Sequence, residues 1–167
     1  GELRLALAGS GTLNLDGRVA DGTRPIVIDG TNGDDVITVD AAHAGAATLD
    51  GERGDDRLTG GAGDDVLRGG SGNDVLIGGA GDDTLWLDMG DVARGGRGDD
   101  LFEIESVFSV ATIADGGAGT DIARVRGRIE INRLDLISIE RLEATAATLQ
   151  STPEVLAALP TIAGSGF

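Results

Sequence analysis

Four nine-residue units run from Gly51 to Trp86 with nothing between them: GERGDDRLT, GGAGDDVLR, GGSGNDVLI and GGAGDDTLW. Glycine recurs at unit positions one and four and usually at two, aspartate at six, leucine at eight. A β-strand sends alternate side chains to opposite faces. In a short strand at positions seven to nine, the middle residue therefore points one way alone. That residue is Leu58, Leu67, Leu76 or Leu85, with Ile37 and Phe102 in outlying units. One inward apolar side chain in nine builds no core by itself, but stacked units line such residues up into a continuous strip. The repeat predicts an all-β solenoid.

Positions one to six must turn the chain. Glycine tolerates positive φ and lets backbone carbonyls approach a common point. Carbonyls converging with a position-six carboxylate make a hard oxygen cage of the kind calcium prefers. The chain has no Cys, and only His43 could offer nitrogen, so a soft-metal site is poorly supported. Magnesium demands a stricter octahedron and keeps its waters, which suits a carbonyl-lined turn less well. A single such turn reads as a solvated loop. Four in tandem, with further matches at Gly30–Thr38, Gly95–Glu103 and Gly116–Arg124, read as an array of calcium sites.

GGAGDDVLR and its neighbours resemble the RTX, or haemolysin-type, calcium-binding repeats of bacterial proteins exported by type I secretion. The resemblance spans Gly30 to Arg124 with interruptions and is most specific in Gly51–Trp86. It implies a right-handed parallel β-roll with successive units on opposite sides, an ion being shared between one unit and the next but one. Asp56 would then face Asp74 across one row of ions, and Asp65 would face Asp83 across the other. Carbonyls of Gly51, Arg53 and Gly54 would contribute, as would those of Gly60, Gly61, Ala62 and Gly63. So would those of Gly69, Gly70, Ser71 and Gly72, and of Gly78, Gly79, Ala80 and Gly81. Asn73, at position five, is a candidate of lesser standing. Asp35, Gly98, Asp100 and Asp121 extend the set into the outlying units.

The interruptions keep the period. VDAAHAGAATLD, between Thr38 and Gly51, is one unit plus three residues, with Gly45 at position four, Leu49 at eight and Ala47 in place of the aspartate. VFSVATIAD likewise follows a three-residue insertion, and LDMGDVAR is a unit short by one residue with Gly90 retained. These lapses leave open whether Asp35, Asp100 and Asp121 have a full partner unit. His43 is expected on the surface. Trp86, outward-facing, is expected to pack under a flanking segment or to meet a partner.

Three segments follow: flanking strands in 1–29, the roll in 30–124, and strands with a short helix in 125–167. In the first, Leu3, Leu5 and Leu7 alternate, either as earlier turns without metal or as the tail of another β domain. In the last, Ile129/Ile131 and Leu134/Leu136 alternate, and PEVLAAL after Thr152 reads as the helix. The chain reads as a fragment of a longer protein.

A formal charge of −16, with no lysine, argues against nucleic acid as a partner. No apolar run approaches the roughly 18 residues of a membrane span. HExxH is absent, and no motif places a nucleophile near His43, so catalysis is not expected. The resemblance implies a secreted or cell-surface module that folds on calcium outside the cell, its partners being calcium and, through a parent protein, the type I secretion machinery. The alternative is a calcium-stiffened segment of a surface-layer protein, an adhesin or a polysaccharide-binding protein, with cell-surface or glycan contacts. A third reading is the tail of a protease or lipase.

Overall fold

The computed structural model describes residues 1–15, 22–105, 110–126, 128–130, 133–144, 148–150 and 162–163. The helix expected after Thr152 lies outside them. Strands follow one another in short order: β1 (Leu3–Ala6), β2 (Thr12–Asn14), β3 (Ile26–Thr31), β4 (Val36–Thr38), β5 (Ala47–Glu52) and β6 (Arg57–Thr59). Next come β7 (Val66–Arg68), β8 (Val75–Ala80), β9 (Thr84–Leu87), β10 (Val92–Arg97), β11 (Leu101–Ile104) and β12 (Thr112–Ala118). The remainder are β13 (Ile122–Val125), β14 (Arg128–Glu130), β15 (Leu134–Ile137), β16 (Arg141–Ala144), β17 (Thr148–Gln150) and β18 (Ile162–Ala163).

Through the repeats, odd and even strands part company. One sheet runs β1-β3-β5-β7-β9-β11-β13-β16-β18 and the other β15-β12-β10-β8-β6-β4-β2; β14 and β17 pair separately. Pairing along both large sheets is parallel, so each nonapeptide supplies one strand and hands the chain to the opposite sheet. The first two strands stack on the repeats in the same way, β1 on β3 and β2 on β4. Of the two readings of the N-terminal leucines, they take the first: they are solenoid turns.

The position-eight residues form two inner columns. Ile28, Leu49, Leu67, Leu85, Phe102, Ala123 and Leu142 are in register on one sheet. Leu13, Ile37, Leu58, Leu76, Ala93, Ala114 and Leu136 are in register on the other. Most are fully buried, and the two columns form one apolar core. The interruptions are absorbed without losing register. Ladder partners stand 18 residues apart within the tandem block, 17 across the shortened unit and 21 across each insertion. Registry between units thus survives length changes because they are taken up in the turns, where no inward residue has to be matched.

Candidate metal centre

Among the described residues, the position-six aspartates make up most of the buried charge of this fold. Asp35, Asp56, Asp65, Asp74, Asp83, Asp100 and Asp121 are each at most 2% exposed, an unusual state for a carboxylate. They stack along the two edges of the roll, each tied to the next on its own edge by a backbone hydrogen bond. On one edge the Asp35 N–H donates to Asp56 Oδ1 (2.8 Å), Asp56 N–H to Asp74 Oδ1 (2.8 Å), and Asp74 N–H to Asp91 Oδ1 (2.9 Å). On the other edge Ala47 N–H donates to Asp65 Oδ1 (2.6 Å), Asp65 to Asp83 (2.8 Å), Asp83 to Asp100 (2.9 Å) and Asp100 to Asp121 (2.8 Å). Each of these acceptor carboxylates thereby spends one oxygen on holding the preceding turn of its edge in register.

The second oxygen is what makes the turn a candidate site. Oδ2 of Asp56, Asp74, Asp83, Asp100 and Asp121 is buried and accepts no hydrogen bond. Each lies against the position-one glycine of its own unit: a Cβ placed on Gly51, Gly69, Gly78, Gly95 or Gly116 would run into that oxygen. At Gly51, Gly78 and Gly95 the same Cβ would also meet the position-one carbonyl of the unit two further on, those of Gly69, Gly95 and Gly116 respectively. A carboxylate oxygen and a carbonyl oxygen therefore flank one small cradle, and the carboxylate oxygen has no hydrogen-bond partner there. Left unmatched, a buried polar atom costs about 1–3 kcal/mol, and more when charged. Among the described residues no three His, Asp or Glu side chains converge on a point, so the cradles offer backbone oxygens with single carboxylates. That donor set fits a hard cation such as calcium and does not fit a soft one.

Burial drives the electrostatics. Removal from water, partly offset by the backbone N–H donors, pushes the carboxyl groups of Asp56, Asp65 and Asp100 up to about 6, Asp91 to about 7 and Asp83 to about 8. Asp74 and Asp121 are raised for the same reason. Neighbouring aspartates add to the rise through like-charge repulsion.

Not every rung is left wanting. Asp65 Oδ2 accepts the Gly61 N–H (2.7 Å), and Asp35 Oδ2 accepts from the Thr31 N–H (2.7 Å) and hydroxyl (2.9 Å). A Cβ on Gly60 would still meet both Asp65 Oδ2 and the Gly78 carbonyl, so that cradle has the same shape. Carbonyls at positions two to four are drawn into turn-to-turn bonding. Ser71 O accepts the Gly54 N–H (3.0 Å), Gly61 O accepts the Ala80 N–H (3.1 Å), and Arg53 and Ser71 form an isolated parallel bridge. The Ala62 N–H donates to the His43 carbonyl (2.7 Å). Position-four carbonyls sit beneath the next glycine on their edge, Gly54 under Gly72, Gly63 under Gly81 and Gly81 under Gly98. Asn73 stays at the exposed rim, its N–H donating to Asp55 Oδ1 (2.9 Å).

Three ladder members escape a plain reading of the nonapeptide. Asp91, wholly buried, takes the position-six place in the unit short by one residue. Its signal was Gly90 directly before an aspartate, with position five deleted. Its Oδ2 is satisfied by the Asp88 N–H (2.7 Å). Thr112 is the buried position-six residue of the next unit on that edge, where its hydroxyl donates to the Asp88 carbonyl (3.0 Å). Glu140 ends the other edge by accepting the Asp121 N–H (2.7 Å). Asp35, Asp100 and Asp121 thus do have ladder partners despite the interruptions. His43 departs from expectation: it is 3% exposed, because its turn stacks against Gly61 and Ala62, and its Nε2 lies 2.9 Å from the Arg24 carbonyl. Trp86 packs against the cations of Arg68 (5.6 Å) and Arg126 (5.9 Å), the latter from the segment after the repeats.

A family model described as RTX calcium-binding nonapeptide repeat (4 copies) matches residues 42–76 and again 59–91. No curated protein and no solved structure matches the chain. Residues 42–91 are thus similar to the RTX calcium-binding nonapeptide repeat, and the chain winds those repeats as a parallel β-roll.

Proposed function

We propose that this chain is a module that folds on binding several calcium ions outside the cell, as part of a larger protein exported by type I secretion. The observation that carries the reading is the set of buried, unpartnered Oδ2 atoms at Asp56, Asp74, Asp83, Asp100 and Asp121, each pressed against a position-one glycine. Residues 30–124 are the calcium-binding block in this reading, with 1–29 and 125–167 as flanks. The ligands are the position-six carboxylates together with carbonyls of positions one to four.

The energetics favour a metal-dependent fold. Without metal, carboxylates crowd along both edges of a chain of charge −16, and 29 glycines raise the entropy lost on folding. Binding energy in such a system is folding energy. At extracellular-type affinities of about 10⁻⁴–10⁻³ M, calcium tenfold above Kd adds about 1.4 kcal/mol per site. Occupying the five unpartnered cradles would add roughly 7 kcal/mol, comparable with the entire stability of an ordinary domain. Low cytosolic calcium would leave the chain unfolded for export, and higher calcium outside would fold it.

Isothermal titration calorimetry with calcium and then magnesium tests the proposal. Several calcium ions bound per chain at submillimolar to millimolar affinity, with magnesium much weaker, is the expected result. No calcium uptake would end it.

A further inference from the structure

The cradle at Asp121 lies beyond the matched repeats, and its far half is not a repeat at all. Asp121 is fully buried and its Oδ2 has no partner. A Cβ on Gly116 would strike that oxygen and the carbonyl of Ser138 together, as one on Gly95 would strike Asp100 Oδ2 and the Gly116 carbonyl. Ser138 therefore stands where position one of a next unit would stand, although LISIE has none of the Gly-Asp pattern. Register says how. Ile122 pairs with Arg141 in the parallel ladder, so Glu140 occupies the position-six place. Only Ile139 separates it from Ser138, where a full unit has four residues between positions one and six. Ile139 is 7% exposed and joins the apolar core. Ser138 adopts a positive φ of 51°, a conformation an L residue takes at a cost, and it is the first residue of this shortened turn. Glu140 Oε2 accepts the Asp121 N–H, and the Glu140 and Arg141 N–H groups both donate to the Asp121 carbonyl (3.1 and 3.2 Å). The aspartate is thus held from both sides with one oxygen free.

We propose a terminal cation site of mixed origin here, in which Asp121 and the Gly116–Thr120 turn supply one half and the Ser138 carbonyl supplies the other. Glu140 is a positioning residue. The proposal rests on the reading that the cradles take calcium. The abbreviated turn offers fewer backbone oxygens than a full unit, so water completes the shell and this site fills last. It ties the non-repeat strands β15 and β16 to the roll by metal as well as by backbone pairing.

Anomalous scattering from crystals of the whole 167-residue chain grown with calcium tests both levels separately. A peak within about 2.3–2.6 Å of Asp121 Oδ2 and Ser138 O, beside peaks at Asp56, Asp83 and Asp100, supports the terminal site. Peaks at the repeat cradles with none at Asp121 overturn it and leave the proposed function standing. No peaks anywhere overturn both. In solution, Asp121→Asn should bind one calcium fewer than the parent, and an unchanged stoichiometry counts against the site. Should that variant fail to fold, Glu140→Ala decides. Loss of an orienting partner of this kind weakens metal affinity about 10–100-fold, so only the last-filled step of the titration should weaken. An unaltered last step overturns the proposal.

Discussion

Position two takes a positive φ in several units, and the first tandem unit does so without a glycine. Glu52 sits at φ 73°, while its counterparts Gly70 and Gly79 sit at 95° and 127°. A non-glycine residue held in the left-handed region costs about 1–3 kcal/mol, reduced in a glycine replacement by the entropy glycine loses on folding. Glu52→Gly should therefore raise stability in saturating calcium by about 1 kcal/mol, read from urea denaturation. The opposite change, Gly79→Ala, should destabilise, since its Cβ would fall on the Gly61 carbonyl. Among the aspartates, geometry rather than charge should rank the effects. Asp74→Asn and Asp83→Asn remove a carboxylate whose Oδ2 has no other partner, whereas Asp65 Oδ2 already holds the Gly61 N–H. All three should raise the calcium concentration at the folding midpoint, Asp74 and Asp83 the most. Asp135→Asn, exposed on β15, should leave it almost unmoved. Equal shifts in the four variants would mean diffuse binding to an acidic chain.

At the scale of the strand, one inward residue per unit carries the core. Leu67 is completely buried between Leu49 and Leu85 in its column, so Leu67→Ala should cost about 2–5 kcal/mol. Val66, on the other face of the same strand, is only partly buried, and Val66→Ala should cost under about 1 kcal/mol. Thermal denaturation in fixed calcium compares the two. This division of labour explains what could be read from the sequence. Leucine at position eight and aspartate at position six each have one job in a fixed register, so the strand positions follow from spacing, while the odd-even alternation and the position-six pairing were legible only through the resemblance to RTX repeats. What escaped lies where the turn changes length. Asp91 keeps its place in the ladder after a deletion, and Thr112 fills it with a hydroxyl. Ser138 and Glu140 fill the corresponding places with a three-residue turn. Thr112 keeps the nonapeptide spacing but not the aspartate, whereas Asp91, Ser138 and Glu140 lose the spacing, because only the ends of a turn are tied to the sheets and its interior is free to shorten. His43 escaped for a related reason: a lone histidine carries no period, and its burial comes from the turn stacked against it.

Over the whole molecule, the two edges of the roll concentrate negative charge that folding buries. Native carboxyl groups raised from 3.8 to about 6 at Asp56, Asp65 and Asp100, about 7 at Asp91 and about 8 at Asp83 bind more protons than the unfolded chain does. The contribution of these groups to the stability of the metal-free fold is then fully present below about pH 4 and is lost as pH rises through 6 to 8. In calcium-free buffer the chain should show more β-structure at pH 5 than at pH 7.5, by far-UV circular dichroism. With calcium present the sign reverses for the metal: protons compete for the same oxygens, so the calcium needed for folding should rise as pH falls. Both effects rest on one claim, that the buried Oδ2 atoms are matched by a cation in the working fold. The most direct test is a calcium titration at pH 7.5 of the metal-free chain, followed by far-UV circular dichroism, with magnesium as the control. A cooperative gain of β-structure at submillimolar to millimolar calcium, absent with magnesium and reversed by chelator, is the predicted result; a spectrum already fully folded without metal and indifferent to calcium would contradict the account.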